Sequence, residues 1–146
     1  MRSGRSGFWR AWAPAVVWLG VIWTVNSLPR QTFPEGIRKS PRADPQAHVL
    51  LYLPLGVFLM RALSPPGRNR AGVVRMLALT VVVGAALAAL DEWHKVLIPS
   101  RKGEVGDWLR DVVGTCVGAC GWAALVAGTA SRDRPQPAVG PGQDGG

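Results

Sequence analysis

Apolar residues in this chain gather into four long blocks, and do not follow the spacing of amphipathic helices or half-buried strands. The blocks run from Trp12 to Leu28, Ala47 to Leu63, Val73 to Leu90 and Trp108 to Gly128. Each holds 17 to 21 residues. At about 1.5 Å of helical rise per residue, that approaches the roughly 30 Å of a bilayer's hydrocarbon core. The pattern predicts an all-α fold: a polytopic membrane protein whose four transmembrane helices form a bundle over residues 1–130. The two shortest blocks gain length from interfacial anchors, with Trp9 and Trp12 at the start of the first and a snorkelling Arg61 near the end of the second. Residues 131–146 (SRDRPQPAVGPGQDGG) are rich in proline, glycine and charge and are expected to form a disordered tail.

The first block also has features of a cleaved signal peptide. Arg2, Arg5 and Arg10 make a basic leader, and residues 25–27 (VNS) weakly match a small-residue cleavage site. Its length and its tryptophans, Trp12, Trp18 and Trp23, favour a retained span instead.

Charge refines the picture. A net charge of +8 ordinarily points to nucleic acid or anionic lipid. Here the basic residues flank the apolar blocks, where they meet lipid headgroups, so membrane lipids are the expected partners and nucleic acid is not. With four spans, the termini and the 64–72 connection share one side, carrying nine basic and two acidic residues. The opposite side carries eight basic and seven acidic residues. Basic residues alone barely decide the orientation; the acids tip it toward cytoplasmic termini. Cys116 and Cys120, one helical turn apart inside an apolar block, suit helix packing better than a disulfide or a zinc site.

The ionisable residues near the spans are not scattered. His48 opens the second block; Asp91, Glu92, His94 and Lys95 close the third; Arg101 and Glu104 lie in the connection; Asp107 and Asp111 open the fourth. Alternating spans put all of them at one membrane face. Such residues are costly in a membrane and are functional candidates for that reason. Asp107, Asp111, Gly114, Gly118 and Gly121 recur at helical spacing and form one stripe, with a GxxxG step that admits a close neighbour. Gly84, Ala88, Glu92 and Lys95 form a similar stripe in the third block. The two stripes are expected to face each other across a hairpin turning around Pro99–Gly106, with Arg101 returning to pair with Asp107 or Glu92. A salt-bridged hairpin closing the bundle accounts for the same charges without any ligand.

Soluble catalytic signatures are absent: no glycine-rich phosphate loop, no G-x-S-x-G elbow and no HExxH occurs. Asp91 and His94 stand three apart on a helix, a spacing compatible with metal binding, and His48 makes a third candidate ligand. No complete ligand set of recognisable spacing is present, so no metal or other cofactor is expected.

At these residues the chain resembles the VanZ-like family, small bacterial polytopic membrane proteins named for a member associated with glycopeptide (teicoplanin) resistance. The resemblance covers roughly Trp12 to Gly121 and is strongest in DEWHKVLIPSRKGEVGDWLRDVVG at 91–114. There Glu92, His94, Arg101, Asp107, Asp111 and Gly114 take the family's motif positions. Lesser matches are Asn26-Ser27-Leu28-Pro29 ending the first span and His48 opening the second. Lys95 stands where the family usually has glutamine, Ser100 where it usually has glycine, and before His48 there is only Asp44 in place of an Asp-Lys pair. The resemblance implies a multi-pass protein of the bacterial cytoplasmic membrane with a link to antibiotic resistance or the cell envelope. It brings no mechanism.

The expected binding set is His48, Glu92, His94, Arg101, Asp107 and Asp111. In the leading reading these residues bind an amphiphile at the outer face, such as a lipid-linked phosphate or a lipidated glycopeptide. Arg101 contacts the anionic headgroup as a fork donor, the three acids orient it, and the histidines complete the lining. The rival is a membrane-embedded hydrolase or transferase with Glu92 or a histidine as general base. A purely structural subunit is the third reading. Nothing in the sequence sets the oligomeric state.

Overall fold

In hydrocarbon there is no water to satisfy the backbone, so an apolar block that spans a bilayer must bond its own N–H and C=O groups, as a helix does. The computed structural model describes residues 3–28, 43–64, 70–98 and 102–132. They form four α-helices: α1 (Ser3–Ser27), α2 (Ala43–Leu63), α3 (Arg70–Val96) and α4 (Val105–Arg132). The all-α, four-helix expectation holds. Each helix contains a segment long and apolar enough to cross a membrane. Two of them overrun the apolar blocks: α3 continues past Leu90 to Val96 and so carries Asp91, Glu92, His94 and Lys95, while α4 starts at Val105 and carries Asp107. The tail beyond Arg132 lies outside the described residues.

Most of the apolar surface points outward. Between 11% and 28% of each spanning window is buried inside the protein, and Val16, Val17, Leu50, Val82 and Leu125 are all more than half exposed. An aqueous surface does not carry so much contiguous apolar area. The chain is a multi-pass membrane protein.

Close backbone approach, made by glycines, assembles the bundle. The most extensive contact is between α2 and α4, followed by α3 with α4; α1 leans chiefly on α2. A Cβ on Gly118 would overlap the Leu53 carbonyl, and one on Gly56 would overlap the carbonyl of Thr115. One on Gly114 would lie 2.5 Å from the Val49 carbonyl oxygen. Gly84 of α3 makes room in the same way for the Thr115 side chain. Dispersion contacts at this range take the place of the hydrophobic effect, which does little between helices in lipid.

The sequence expectation for these stripes needs correcting. The stripe of Asp107, Asp111, Gly114 and Gly118 faces α2, and Gly121 has open space beside it among the described residues. The α3 stripe meets α4 at Thr115 and, at its polar end, brings Glu92 close to Asp111, while the glycines of the α4 stripe pack on α2. One helix can present two faces to two neighbours, and spacing along a single helix does not say which neighbour takes which face.

Tryptophans brace the packing. Trp18 of α1 donates its indole N–H to the Leu51 carbonyl at 2.8 Å, and Trp108 of α4 donates to the Ala85 carbonyl at 3.0 Å. Ala15, Ile22, Tyr52, Leu55, Leu59 and Ala88 form the buried apolar core beneath them.

Candidate functional site

Helix spacing delivers the polar side chains in pairs. Asp107 and Asp111 are one turn apart on α4, His48 and Tyr52 one turn apart on α2, and Asp91 with Lys95 one turn apart at the end of α3. The antiparallel order of the helices then brings the end of α1, the start of α2, the end of α3 and the start of α4 to one end of the bundle.

Two connected groups form there. In the first, His48 bridges two aspartates: Nδ1 lies 2.9 Å from Asp111 Oδ1, and Nε2 lies 3.3 Å from Asp107 Oδ2. A neutral imidazole donates through one nitrogen only, so at most one of these carboxylates receives its proton at a time. Asp111 is fully buried. Asp107 is nearer the surface and accepts a second bond, at 2.5 Å, from Arg110 Nη1.

In the second group, Lys95 donates to Glu92 Oε1 at 2.5 Å and lies 3.4 Å from Asp91 Oδ2. Asn26, at the end of α1, donates to the same Asp91 oxygen at 2.6 Å. Glu92 Oε2 accepts the backbone N–H of Glu104 at 2.9 Å, which ties the end of α3 to the start of α4. Asp91 and Lys95 are both buried. The two groups meet where His48, Glu92 and Asp111 converge, with one donor atom from each lying within 4.8 Å of the others.

Of the six residues expected from sequence, His48, Glu92, Asp107 and Asp111 are brought together. His94 turns toward α1 instead and stacks on Trp23, with ring centroids 5.2 Å apart and planes 10° from parallel; no hydrogen bond or ion pair joins it to the cluster among the described residues. Arg101, and with it the expected pairing to Asp107 or Glu92, lies outside the described residues. The described partners of Asp107 are Arg110 and His48; Glu92 pairs with Lys95.

The cluster also includes residues that the sequence reading left out of its binding set. Asn26 belonged to a matched motif, but its bond to Asp91 crosses 65 residues of chain. Asp91 and Lys95 were visible as span-end charges, whereas no sequence signal singled out Tyr52, buried one turn beyond His48. Beside the cluster, the α3–α4 hairpin opens a groove of about 310 Å³, walled by Trp93, Val96, Val105 and Trp108 with Glu92 and Glu104 at its polar edge.

A family model described as VanZ/LLP1 matches residues 8–126 of the chain. No curated protein and no solved structure matches.

Proposed function

Because the chain belongs to the VanZ/LLP1 family, we propose that it is a membrane protein that binds an amphiphile at the polar end of its bundle. The apolar part of the ligand occupies the hairpin groove, and its anionic headgroup, of the lipid-linked phosphate kind, meets the charged end. The observation that carries this reading is the juncture at Glu92, a residue that lines an aromatic-walled groove and also belongs to the buried charge cluster. Membrane lipids and lipid-linked small molecules fit such a half-apolar, half-polar site. Arg101, in the chain between α3 and α4, is assigned the headgroup as a bidentate donor. The acid-rich end is assigned to the outer face of a bacterial cytoplasmic membrane with both termini inside, which makes a cell-envelope role, including glycopeptide resistance, the natural physiological setting.

Native mass spectrometry of protein released from mild detergent tests the reading. Wild type should carry a co-purified anionic lipid species, reduced several-fold in Arg101→Ala and in Trp108→Ala. Equal retention in all three would remove the proposal.

A second reading is favoured by one specific observation, the placement of His48 between Asp107 and Asp111. An imidazole oriented by a buried carboxylate is the arrangement of a general base, which fits a membrane-embedded hydrolase or transferase. Both oxygens of Glu92 accept from N–H donors, Lys95 and the Glu104 amide, whereas a neutral His48 keeps one ring nitrogen unprotonated between its two carboxylates, so His48 is the better candidate for that role. A catalytic base is nearly indispensable, a binding residue shifts affinity, and a structural residue lowers abundance. Phenotype measured together with membrane protein level for His48→Gln and Arg101→Lys separates the three.

A further inference from the structure

Three helices each deliver one donor to a single point: His48 from α2, Glu92 from α3 and Asp111 from α4. Two features set this point apart from an ordinary acidic cluster. First, Asp111 is fully buried, its Oδ1 faces His48, and its Oδ2 has no hydrogen-bond partner among the described residues. Asp91 Oδ1 and Tyr52 Oη, also fully buried, are bare in the same way. Buried oxygens without partners are uncommon, and each calls for an explanation. Second, among the described residues of the cluster, Asp91, Glu92, Asp107 and Asp111 bring four formal negative charges, against the two positive charges of Lys95 and Arg110. Uncompensated charge within a membrane is costly.

We propose that His48, Glu92 and Asp111 form a binding site for a divalent transition-metal ion that ties α2, α3 and α4 together. One imidazole and two carboxylates suit zinc or manganese better than calcium or magnesium, which take oxygen donors. Three protein donors leave a coordination position open, as at catalytic sites. Around zinc, with bonds of about 2.0–2.2 Å, donor atoms sit roughly 3.4 Å apart, so side-chain adjustments must draw the three donors inward from the 4.8 Å limit. Asp107 supports the arrangement: accepting from Nε2 of His48, 3.3 Å away, it leaves the Nδ1 lone pair for the ion, in the carboxylate–histidine–metal pattern. Lys95 yields Glu92 Oε1 to the ion and keeps Asp91, at 3.4 Å. The inference goes beyond amphiphile binding and does not depend on it.

The test uses the full chain without a polyhistidine tag, in a nonionic detergent that supplies no anionic lipid. After stripping with chelator, reloading with Zn²⁺ and gel filtration, wild type should retain about one zinc per chain. Substitution with Co²⁺ should give the visible bands of nitrogen and oxygen ligation without thiolate charge transfer. His48→Gln and Asp111→Asn, read on protein with wild-type helical circular dichroism, should lose at least tenfold in Zn²⁺ affinity. No retained metal, a thiolate band pointing to Cys116 and Cys120, or unchanged affinity in the variants would each overturn the proposal. If the variants do not fold, the wild-type stoichiometry and cobalt spectrum decide it alone.

Discussion

At the scale of single residues, the contact between His48 and Asp111 carries the sharpest energetic consequence. Asp111 has no exposed surface, so removing His48 leaves a buried carboxylate without its neighbour. Breaking a buried pair from one side costs on the order of 3–5 kcal/mol, whereas removing both partners together costs far less. His48→Leu should therefore lower the thermal midpoint in detergent sharply, and His48→Leu with Asp111→Leu should recover part of the loss. Strict additivity in that double-mutant cycle would show that the two do not interact. Asp107 and Arg110 give the opposite case. Their side chains are 19% and 39% exposed, and solvent screening holds such pairs to about 1 kcal/mol or less. Arg110→Ala should leave the midpoint almost unchanged, and a drop as large as that of His48→Leu would contradict the exposed placement. Residue types and span-end positions were legible in the sequence; partnerships were not. Helical spacing finds Lys95 beside Glu92 because the two share a helix. The bond from Asn26 to Asp91, and the convergence of His48, Glu92 and Asp111, depend on how separate helices pack, so no ligand set appears along the chain.

Among the elements, the helices themselves were the most legible feature, because backbone satisfaction in lipid leaves an apolar block of this length little other choice. Their ends were less so. Charged residues closing the third block read as the edge of the span, yet α3 continues through them to Val96, since the polar side chains find partners on neighbouring helices. The faces were half legible: a glycine stripe announces a close neighbour without naming it. That neighbour is α2, and the approach sets an asymmetry that can be measured. Gly118 lies against the Leu53 carbonyl, while Val117 is half exposed and Gly121 has open space beside it. Gly118→Leu should destabilise the bundle by at least the roughly 1–3 kcal/mol typical of overpacking, because the obstacle is backbone and cannot rotate away. Val117→Leu and Gly121→Ala should express and melt like wild type. Matching melting curves for Gly118→Leu and Val117→Leu would mean that α2 and α4 do not meet at this glycine.

For the molecule as a whole, everything proposed for the polar end depends on which side of the membrane it faces. The four-helix order puts that end opposite the termini whichever way the chain inserts. The choice between the two orientations therefore rests on charge. Loops near the spans that are rich in lysine and arginine stay cytoplasmic, and acidic residues count for little in this rule. The terminal side has nine basic residues and the polar end eight, so the bare count is nearly even. Packing separates them further. Lys95 is buried on Asp91 and Glu92, and Arg110 is engaged with Asp107. In the folded bundle these two cations are therefore less available to lipid headgroups than the exposed Arg10, Arg61, Arg70 and Arg75 of the terminal side. The expected orientation has both termini in the cytoplasm and the polar end outside. With Cys116 and Cys120 replaced by serine, single cysteines at Gly36 and Asn69 report the two faces. A membrane-impermeant maleimide added to intact cells should label position 36 and spare position 69 until the cells are opened. Labelling of position 69 alone in intact cells would invert the molecule and turn the candidate site to the cytoplasm. The outer-face assignment would then fail, while the metal-site geometry would stand, since it depends on how the helices meet and not on the side they face.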